Sequence, residues 1–507
     1  MLILLGCIAI SLLGLYLLYW SDLIFYWSDP VKCPPTEFPF HYDRSKYDEI
    51  FSDAPFEKTE NKFLIVGCGF SGLGSSATLT RYGIPFDIVD TNNVIGGNWS
   101  VGVYESTHII SSRLTTEFKD YPMPSSFPQF PSCRQMMEYF HDYCKHYRIA
   151  ERLSLETTVN SIEPVENKDS EYKVEFEKNG QKFTRIYKGV IINNGHHWCR
   201  RMPSYEGQSK FTGLLIHSKD YKEPSIFKDK RVLVIGGGNS ACDVAVEAAR
   251  YGKESHISIR RGYYFLPRTL FGKPSVELII PYLPLRLQQI IFTLILKITT
   301  GLDYEKDYGI PTPTHRLFET HPTINSELLQ YLKLGEIHPH GDIKCFKGGN
   351  KVEFKNGEER EFDVIVCCTG YFTSVPLLDN FVTKTEFGYP KLIHGIFVPN
   401  RKNLIYIGLG QPRYGAGCLI TSSCDMVVKL LKYQEKTRHP VGDILGAATG
   451  VNFPRPKKPH ISKDILVDPH DAWKKTRMFS LILIHMMPLL EKFAEWKGKL
   501  PLKILDK

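Results

Sequence analysis

The chain has 507 residues, 42% of them hydrophobic and 23% charged, with a formal charge of +8. That composition excludes a disordered scaffold and leaves room for two or three domains with sizeable cores. The positive charge is diffuse, without a Lys/Arg block, so nucleic acid is not an expected partner; anionic ligands or an anionic membrane surface suit it better.

The first twenty residues, MLILLGCIAISLLGLYLLYW, carry no charge. As a helix they span about 30 Å, the thickness of a bilayer core. The basic start and small-residue cleavage site of a signal peptide are missing. Residues 1–27 are therefore expected to form an uncleaved single-pass anchor, with membrane lipid as the partner of residues 1–20. Tyr19, Trp20, Tyr26 and Trp27 suit the interfacial belt. Residues 28–60, Pro-rich and charged, read as a linker.

From Asn61 the texture becomes alternating strand and helix. KFLIVGCG is a short apolar strand running into glycines, and GCGFSG (67–72) fits the dinucleotide pattern G-x-G-x-x-G. Gly67 permits the turn, Gly69 lets the backbone approach a pyrophosphate, and Gly72 packs helix on strand. Phe70 and Ser71 open the helix, whose free N–H groups point at the phosphates. Asp90 ends the second strand, FDIVD, at the distance of a ribose hydroxyl. IGGNW follows at once, bringing Gly97, Asn98 and Trp99 to the same site.

The module repeats. Gly67, Gly69, Arg81, Tyr82 and Gly83 recur with the same spacing at Gly236, Gly238, Arg250, Tyr251 and Gly252. Here the turn is GGGNSA, so Asn239, Ser240 and Ala241 open the helix. The second strand of this module ends in Arg260 and Arg261 rather than an acid. A carboxylate repels a 2′-phosphate and guanidinium forks grip one, so the second nucleotide is expected to be NADPH. FAD is expected at the first site, with hydride passing between the two. Twelve cysteines lie at scattered spacings with no Cys-x-x-Cys pair, which fits a reducing compartment and argues against a disulfide reductase. Oxygen or a small acceptor remains.

Other segments read less sharply. Residues 275–299 are long, apolar and broken by Pro281 and Pro284; they fit helices lining a tunnel or touching a membrane surface. His315 and His321 fall in a Pro-containing loop, where a structural or solvent role is expected. His338 and His340 lack ligand spacing, and no metal is expected. MFSLILIHMMPLL (478–490) is too short to cross and reads equally as a membrane-dipping or a core helix.

Between the two glycine turns lies FTGLLIHSKDY, with Phe211, Gly213, His217 and Tyr221 at the spacing F-x-G-x3-H-x3-Y. Together with NNGHH (193–197) and CCTGY (367–371), which contains Thr369 and Gly370, this resembles the flavin-containing monooxygenases over residues 61–430. The resemblance implies an α/β fold with two Rossmann-like dinucleotide-binding domains, for FAD and NADPH, behind an N-terminal transmembrane helix. It implies an FAD domain over 61–210 and 336–455, an NADPH domain over 211–335, and a C-terminal extension over 456–507. By the same resemblance NADPH reduces FAD, O2 adds at flavin C4a, and a soft nitrogen or sulfur nucleophile of a small substrate takes one oxygen atom. Gly213, Tyr221, Thr369 and Gly370 join the cofactor-binding set, and His217, Ser111 and Ser112 are the expected catalytic residues. One departure stands out: where the family carries an Asn after the GG-x-W motif, this chain has Ile110, and Ser111, Ser112 or His108 are left to supply a polar group. An NADPH oxidase or NADPH:acceptor reductase, or a non-catalytic nucleotide sensor, are the alternatives. The catalytic part is expected to face the cytosol, on the endoplasmic reticulum in a eukaryote.

Overall fold

A computed structural model describes residues 56–279, 283–450 and 484–500, together with Ser11, Gly14, Leu466, Val467, Ala472 and Thr476. The anchor expected over 1–27 and most of the linker lie outside the described residues, as does 478–483. The strands that matter for the site are β1 (Phe63–Val66), β2 (Phe86–Val89), β3 (Leu153–Ser154), β4 (Gly189–Ile192), β5 (Leu214–His217), β6 (Arg231–Ile235), β7 (Glu254–Ser258), β8 (Ile337–His340), β9 (Val364–Cys367) and β10 (Leu404–Tyr406). The principal helices are α1 (Phe70–Arg81), α2 (Cys133–His146), α3 (Asn239–Tyr251), α4 (Leu285–Thr299), α5 (Gly417–Gln434), α6 (Val441–Thr449) and α7 (Met487–Trp496).

Two five-stranded sheets carry the fold. The first runs β10-β4-β1-β2-β3 and the second β8-β7-β6-β9-β5, with every pairing parallel. Parallel strands are covered on both faces, so their sequences are continuous apolar runs. FLIV, GVII and VIVC are accordingly buried along their whole length. This is a mixed α/β architecture of Rossmann type.

Each sheet turns into its first helix through a glycine that no other residue replaces. Gly67 leaves β1 at φ +102, and a Cβ there would lie 2.6 Å from the Asn193 carbonyl oxygen. Gly236 leaves β6 at φ +138, with the Cys368 carbonyl oxygen 2.4 Å from where a Cβ would be. The expected repeat is therefore one of backbone crowding as well as of residue type.

The domain boundary after residue 335 falls differently. β8 and β9 both belong to the second sheet, and the first sheet regains a strand only at β10. The cause is the partner that β6 needs on its other side: β9 pairs with it from Val232↔Val364 to Ile235↔Cys367.

At the C-terminal end α7 buries Met487 and Ala494 but also Glu491 and Glu495. Glu495 takes both contacts from the Arg438 guanidinium, at 2.6 and 2.7 Å, and Glu491 accepts the His439 backbone N–H at 2.8 Å. His439, Glu491 and Glu495 are the one group among the described residues close enough together to share an ion. These bonds give the cluster a structural use, clamping α7 to the loop before α6. In the described part of 478–490, Ile484 and Met487 are core, as the core-helix reading expects, while Leu489 is exposed.

At the far edge of the second sheet, His256 Nδ1 lies 2.9 Å from His340 Nε2, with both rings buried. Burial first, then the His340 ring, push His256 from 6.5 down to about 4, against the pull of the Glu254 carboxylate; His338 adds to the depression. Between those values the unfolded chain takes up a proton that the folded one refuses. The contribution to stability is complete above pH 6.5 and is lost as pH falls toward 4. His256→Gln should flatten the dependence of thermal midpoint on pH across that window; an unchanged slope refutes the assignment.

Candidate active site

The helices that follow the two glycine turns begin without caps. Gly69 precedes α1 and Gly238 precedes α3, and neither first turn has a side-chain acceptor. By contrast α2 is closed by a capping box between Ser132 and Gln135. An uncapped N-terminus offers its first amides and the positive end of the helix dipole to an anion.

Ahead of α1 lies a cavity of about 1150 Å³, walled by Gly67, Gly69, Phe70, Ser71, Asp90, Gly97, Asn98 and Trp99 among others. The two glycine segments meet there: a Cβ on Gly97 would stand 3.0 Å from Gly69 Cα. Asp90 Oδ2 accepts the Cys68 N–H at 2.6 Å, and Oδ1 accepts the Asn92 backbone and side-chain N–H groups at 2.9 and 2.8 Å. Burial pushes the Asp90 carboxyl up, and these bonds oppose the shift. The side chain thus ties the glycine turn to the end of β2 while remaining in the cavity wall. Gly72 sits behind the wall, where a Cβ would come within 1.9 Å of the Gly67 carbonyl oxygen.

A second cavity, of about 500 Å³, lies ahead of α3 and is walled by Gly236, Gly238, Asn239, Ser240, Arg260, Arg261, Thr369 and Gly370 among others. The Arg261 guanidinium lies 5.2 Å over the Tyr263 ring, which spreads it as a flat cation at the cavity's rim. Ala241 is buried in α3 behind this wall.

The cavities open onto each other. Asn98, Thr107, His196, His197, Asn239 and His321 line both. His321 therefore lines both cavities, where a structural or solvent role was expected. His197 is exposed where it faces the two cavities; desolvation by the surrounding walls, with His196 and His321 alongside, lowers its pKa from the ordinary value. Several buried polar atoms in these walls lack a protein partner: Thr107 Oγ1, Asn193 Oδ1, Asn194 Oδ1 and Arg201 Nε. Such atoms are costly unless a ligand completes them. Open helix ends, close-packed glycines and unmatched donors and acceptors fit two dinucleotides meeting end to end.

The sequence pattern of the flavin-binding monooxygenase-like family matches residues 60–437. The chain belongs to this family. Flavin-containing monooxygenase 5 of Homo sapiens is 31% identical over 376 residues, which is 70% of each chain. Flavin-containing monooxygenase 3 of Oryctolagus cuniculus is 30% identical over 372 residues, 69% of this chain and 70% of the relative. The polycyclic ketone monooxygenase of Thermothelomyces thermophila shares the fold, with a TM-score of 0.63, 14% identity and coverage of 88% of this chain and 90% of its own. The S-allyl-L-cysteine S-oxygenase of Allium sativum does so at 0.59, with 18% identity over 86% of this chain and 93% of its own. The protein is a flavoprotein monooxygenase, and its cofactors are FAD and NADPH.

In this monooxygenase Gly213, His217 and Tyr221 brace the fold, while Ser218 and Lys219 of the same segment reach the second and the first cavity. His217 lines neither cavity; its Nε2–H donates to the Gly370 carbonyl at 3.0 Å and its Nδ1 accepts the Lys219 N–H at 3.1 Å. Both ring nitrogens are thus engaged in the fold, which places this expected catalytic residue behind the site. Tyr221 donates to Glu247 of α3 at 2.6 Å and stacks on Phe227. A Cβ on Gly213 would meet the Asp363 carbonyl oxygen at 2.6 Å, the approach that lets β5 pair with β9. Ser112 is also absent from the walls, because it caps the short helix Arg113–Thr116. Ser111 does line the flavin cavity, its Oγ 2.5 Å from Thr116 Oγ1. Ile110 stands beside it in the wall, with no polar group to offer. Thr107 and Arg201 carry no motif and were not legible in sequence. His196 and His197 were marked by NNGHH.

Two substitutions test these placements. Asp90→Asn, which keeps shape but removes charge from the glycine turn, should weaken FAD retention by about tenfold or more; full flavin content after gel filtration counts against it. Replacing both Arg260 and Arg261 with Ala should raise KM for NADPH by about tenfold or more while leaving NADH nearly unchanged, as expected when charge-assisted contacts to one phosphate are lost. Equal losses for both nucleotides would remove the 2′-phosphate role.

Proposed function

We propose that the enzyme transfers one atom of O2 to a soft nitrogen or sulfur nucleophile of a small, lipophilic substrate. NADPH supplies the two electrons, and the second oxygen atom leaves as water with the proton taken up. The shared wall between the two cavities carries this reading, since it lets the nicotinamide of one nucleotide reach the isoalloxazine of the other. Reduced FAD supplies the activation of oxygen when bound. The protein's part is to hold and shield. The open ends of α1 and α3 bind the pyrophosphates. Asp90 takes the FAD ribose, and Arg260 and Arg261 take the 2′-phosphate. Asn98, His197 and His321 line both cavities and would offer hydrogen-bonding groups to the facing ends of the two cofactors. Apolar Ile110 and Trp99 help keep water from the reacting end. Residues 1–20 tether the protein to a membrane as a single span, with the catalytic part in the cytosol.

Ile110 favours one second reading, an NADPH oxidase that releases hydrogen peroxide, because the wall offers no amide at that position. Anaerobic NADPH should bleach the flavin absorbance in either case. Admission of air in the presence of N,N-dimethylaniline or thioanisole should then give an oxygenated product by mass, matched to NADPH consumed. Bleaching followed by peroxide alone would establish the oxidase; absence of bleaching would remove both readings.

His217→Ala should leave FAD content intact but raise KM for NADPH by roughly tenfold, because the Gly370 turn in the nucleotide wall loses a buried hydrogen bond worth about 1–3 kcal/mol. Unchanged NADPH kinetics would reduce His217 to packing. Ile110→Asn should lower the fraction of NADPH lost as peroxide, read as product-to-peroxide ratio, if the amide reaches the flavin side; a raised or equal peroxide share refutes this.

A further inference from the structure

The GG-x-W motif runs into a π-helical turn, Asn98–Gly102. Such turns are rare and collect at functional sites. Asn98 folds over Gly102, where a Cβ would lie 1.7 Å from Asn98 Oδ1. Asn98, Gly102 and Val103 line both cavities, and Tyr104 stands in the wall of the second. The segment from Asn98 to Tyr104 therefore leads from the flavin motif into the other nucleotide's wall.

Tyr104 ends on α3, the helix whose open end faces that second cavity. Its hydroxyl donates to Asp243 Oδ2 at 2.8 Å, one turn into the helix. Asn325 Nδ2 and the Arg268 guanidinium reach the other carboxylate oxygen, at 3.0 and 3.4 Å. Burial first, then the Asp243 charge, push the Tyr104 phenol well above its ordinary value, so it stays a donor. One turn further along α3, Tyr221 makes the same bond to Glu247, and the two tyrosine rings lie 5.6 Å apart. Lys222, next to Tyr221, closes the unit. Its Nζ donates to the Val101 and Val103 carbonyls at 2.8 and 3.1 Å, and its own carbonyl accepts the Glu105 N–H at 2.9 Å. The loop that carries Tyr104 is thus stitched to the 221–222 segment, and both grip α3.

We propose that the Tyr104–Asp243 bond couples the two cofactor sites, with Tyr104 as a positioning residue. FAD seated against Gly97, Asn98 and Trp99 fixes the turn that delivers Tyr104, and Tyr104 fixes the first turn of α3, where the NADPH pyrophosphate rests. The inference rests on the placement of FAD in the first cavity and NADPH in the second, and on nothing about oxygen transfer. Coupling between two ligands is reciprocal, so NADP+ bound at α3 holds FAD more tightly in return. The bond suits this task because Tyr104 is buried and Asp243 half-buried. Its loss leaves a poorly solvated carboxylate short of a donor, so the flavin segment and the helix favour one mutual arrangement.

The test follows FAD release from the diluted holoenzyme, as free flavin recovered by rapid filtration, with and without saturating NADP+. In the parent, NADP+ should slow release about tenfold, a coupling of ordinary size. Tyr104→Phe keeps the ring and removes the bond; it should reduce the NADP+ effect to about twofold or less. Asp243→Asn weakens the same bond from the acceptor side and should do likewise. Tyr221→Phe removes the neighbouring bond to α3 and should keep most of the effect. A parent whose FAD release ignores NADP+ overturns the coupling. So does a Tyr104→Phe enzyme that keeps the full effect, since NADP+ then holds FAD by direct contact. An equal fall in Tyr104→Phe and Tyr221→Phe also overturns it, because a loosened α3 then accounts for both. Misplaced cofactors would show separately: the Arg260→Ala/Arg261→Ala enzyme would then release FAD faster with no NADP+ present.

Discussion

The Gly370 carbonyl joins the two nucleotide-binding halves. It accepts Nε2–H of His217 from the edge of the second sheet and the backbone N–H of Arg201, each at 3.0 Å. Arg201 follows the crossover that carries His196 and His197 out of the first sheet. Next door, the Thr369 hydroxyl donates to the Arg201 carbonyl at 2.5 Å, and Tyr371–Phe372 pairs antiparallel with Cys199–Arg200. One turn is thus fixed from both sides. Because β9 leads directly into it and Cys368 crowds Gly236, moving this turn would move the glycine turn of the second nucleotide with it. Catalysis between two bound cofactors demands their rings at contact distance, and rigid attachment at this turn is how the fold can hold that distance.

What was legible in the sequence follows from which constraints are local. A glycine turn between a buried strand and a helix writes itself within a dozen residues, so both modules, Asp90 and the two arginines could be read directly. The repeat was visible because two separate turns obey the same steric rule. The shared wall was not visible as a wall, because Thr107, His197 and His321 come from three separate segments and meet only when the sheets dock. His321 in particular sits after Thr320 in a loop with no pattern. Ser112 misled for an opposite reason: SSRLTT is as good a helix start as it is a polar patch, and the capping bond took it. The boundary at 336 failed because a parallel sheet can recruit its middle strand from far along the chain, as β6 recruits β9.

Two helices, α4 and α7, turn polar groups inward and apolar ones outward. In α7 the inward Glu495 is matched by Arg438 and the outward surface carries Leu489, Phe493 and Trp496. Lys497 lies over both aromatic rings, at 5.7 and 4.7 Å. In α4 the inward amides are tied to backbone carbonyls. The bonds of the Gln288 and Gln289 Nε2 donors in α4, and of the Glu495 carboxylate in α7, fix the rotation of each helix about its axis, although Gln288 Oε1 stays buried without a partner. An alternative rotation that buried the aliphatics would expose no compensating gain for the stranded polar groups. The outward apolar stripes are therefore set by specific bonds rather than left over from loose packing.

The two cavity walls bring together open helix ends and buried polar atoms without partners. Like α4, α5, α6 and α7, helices α1 and α3 have no side-chain cap, and theirs are the ends that face the two cavities. A missing cap forgoes about 1 kcal/mol, and each buried unmatched polar atom costs about 1–3 kcal/mol. With Thr107, Asn193, Asn194 and Arg201 all carrying such atoms, the walls of the cofactor-free fold bear on the order of several kcal/mol of unfavourable terms. A ligand that binds the folded state alone reverses them and stabilises the fold by mass action. Stability and cofactor loading are then one equilibrium. Damage to either cavity wall should be felt as loss of the folded enzyme as well as loss of turnover.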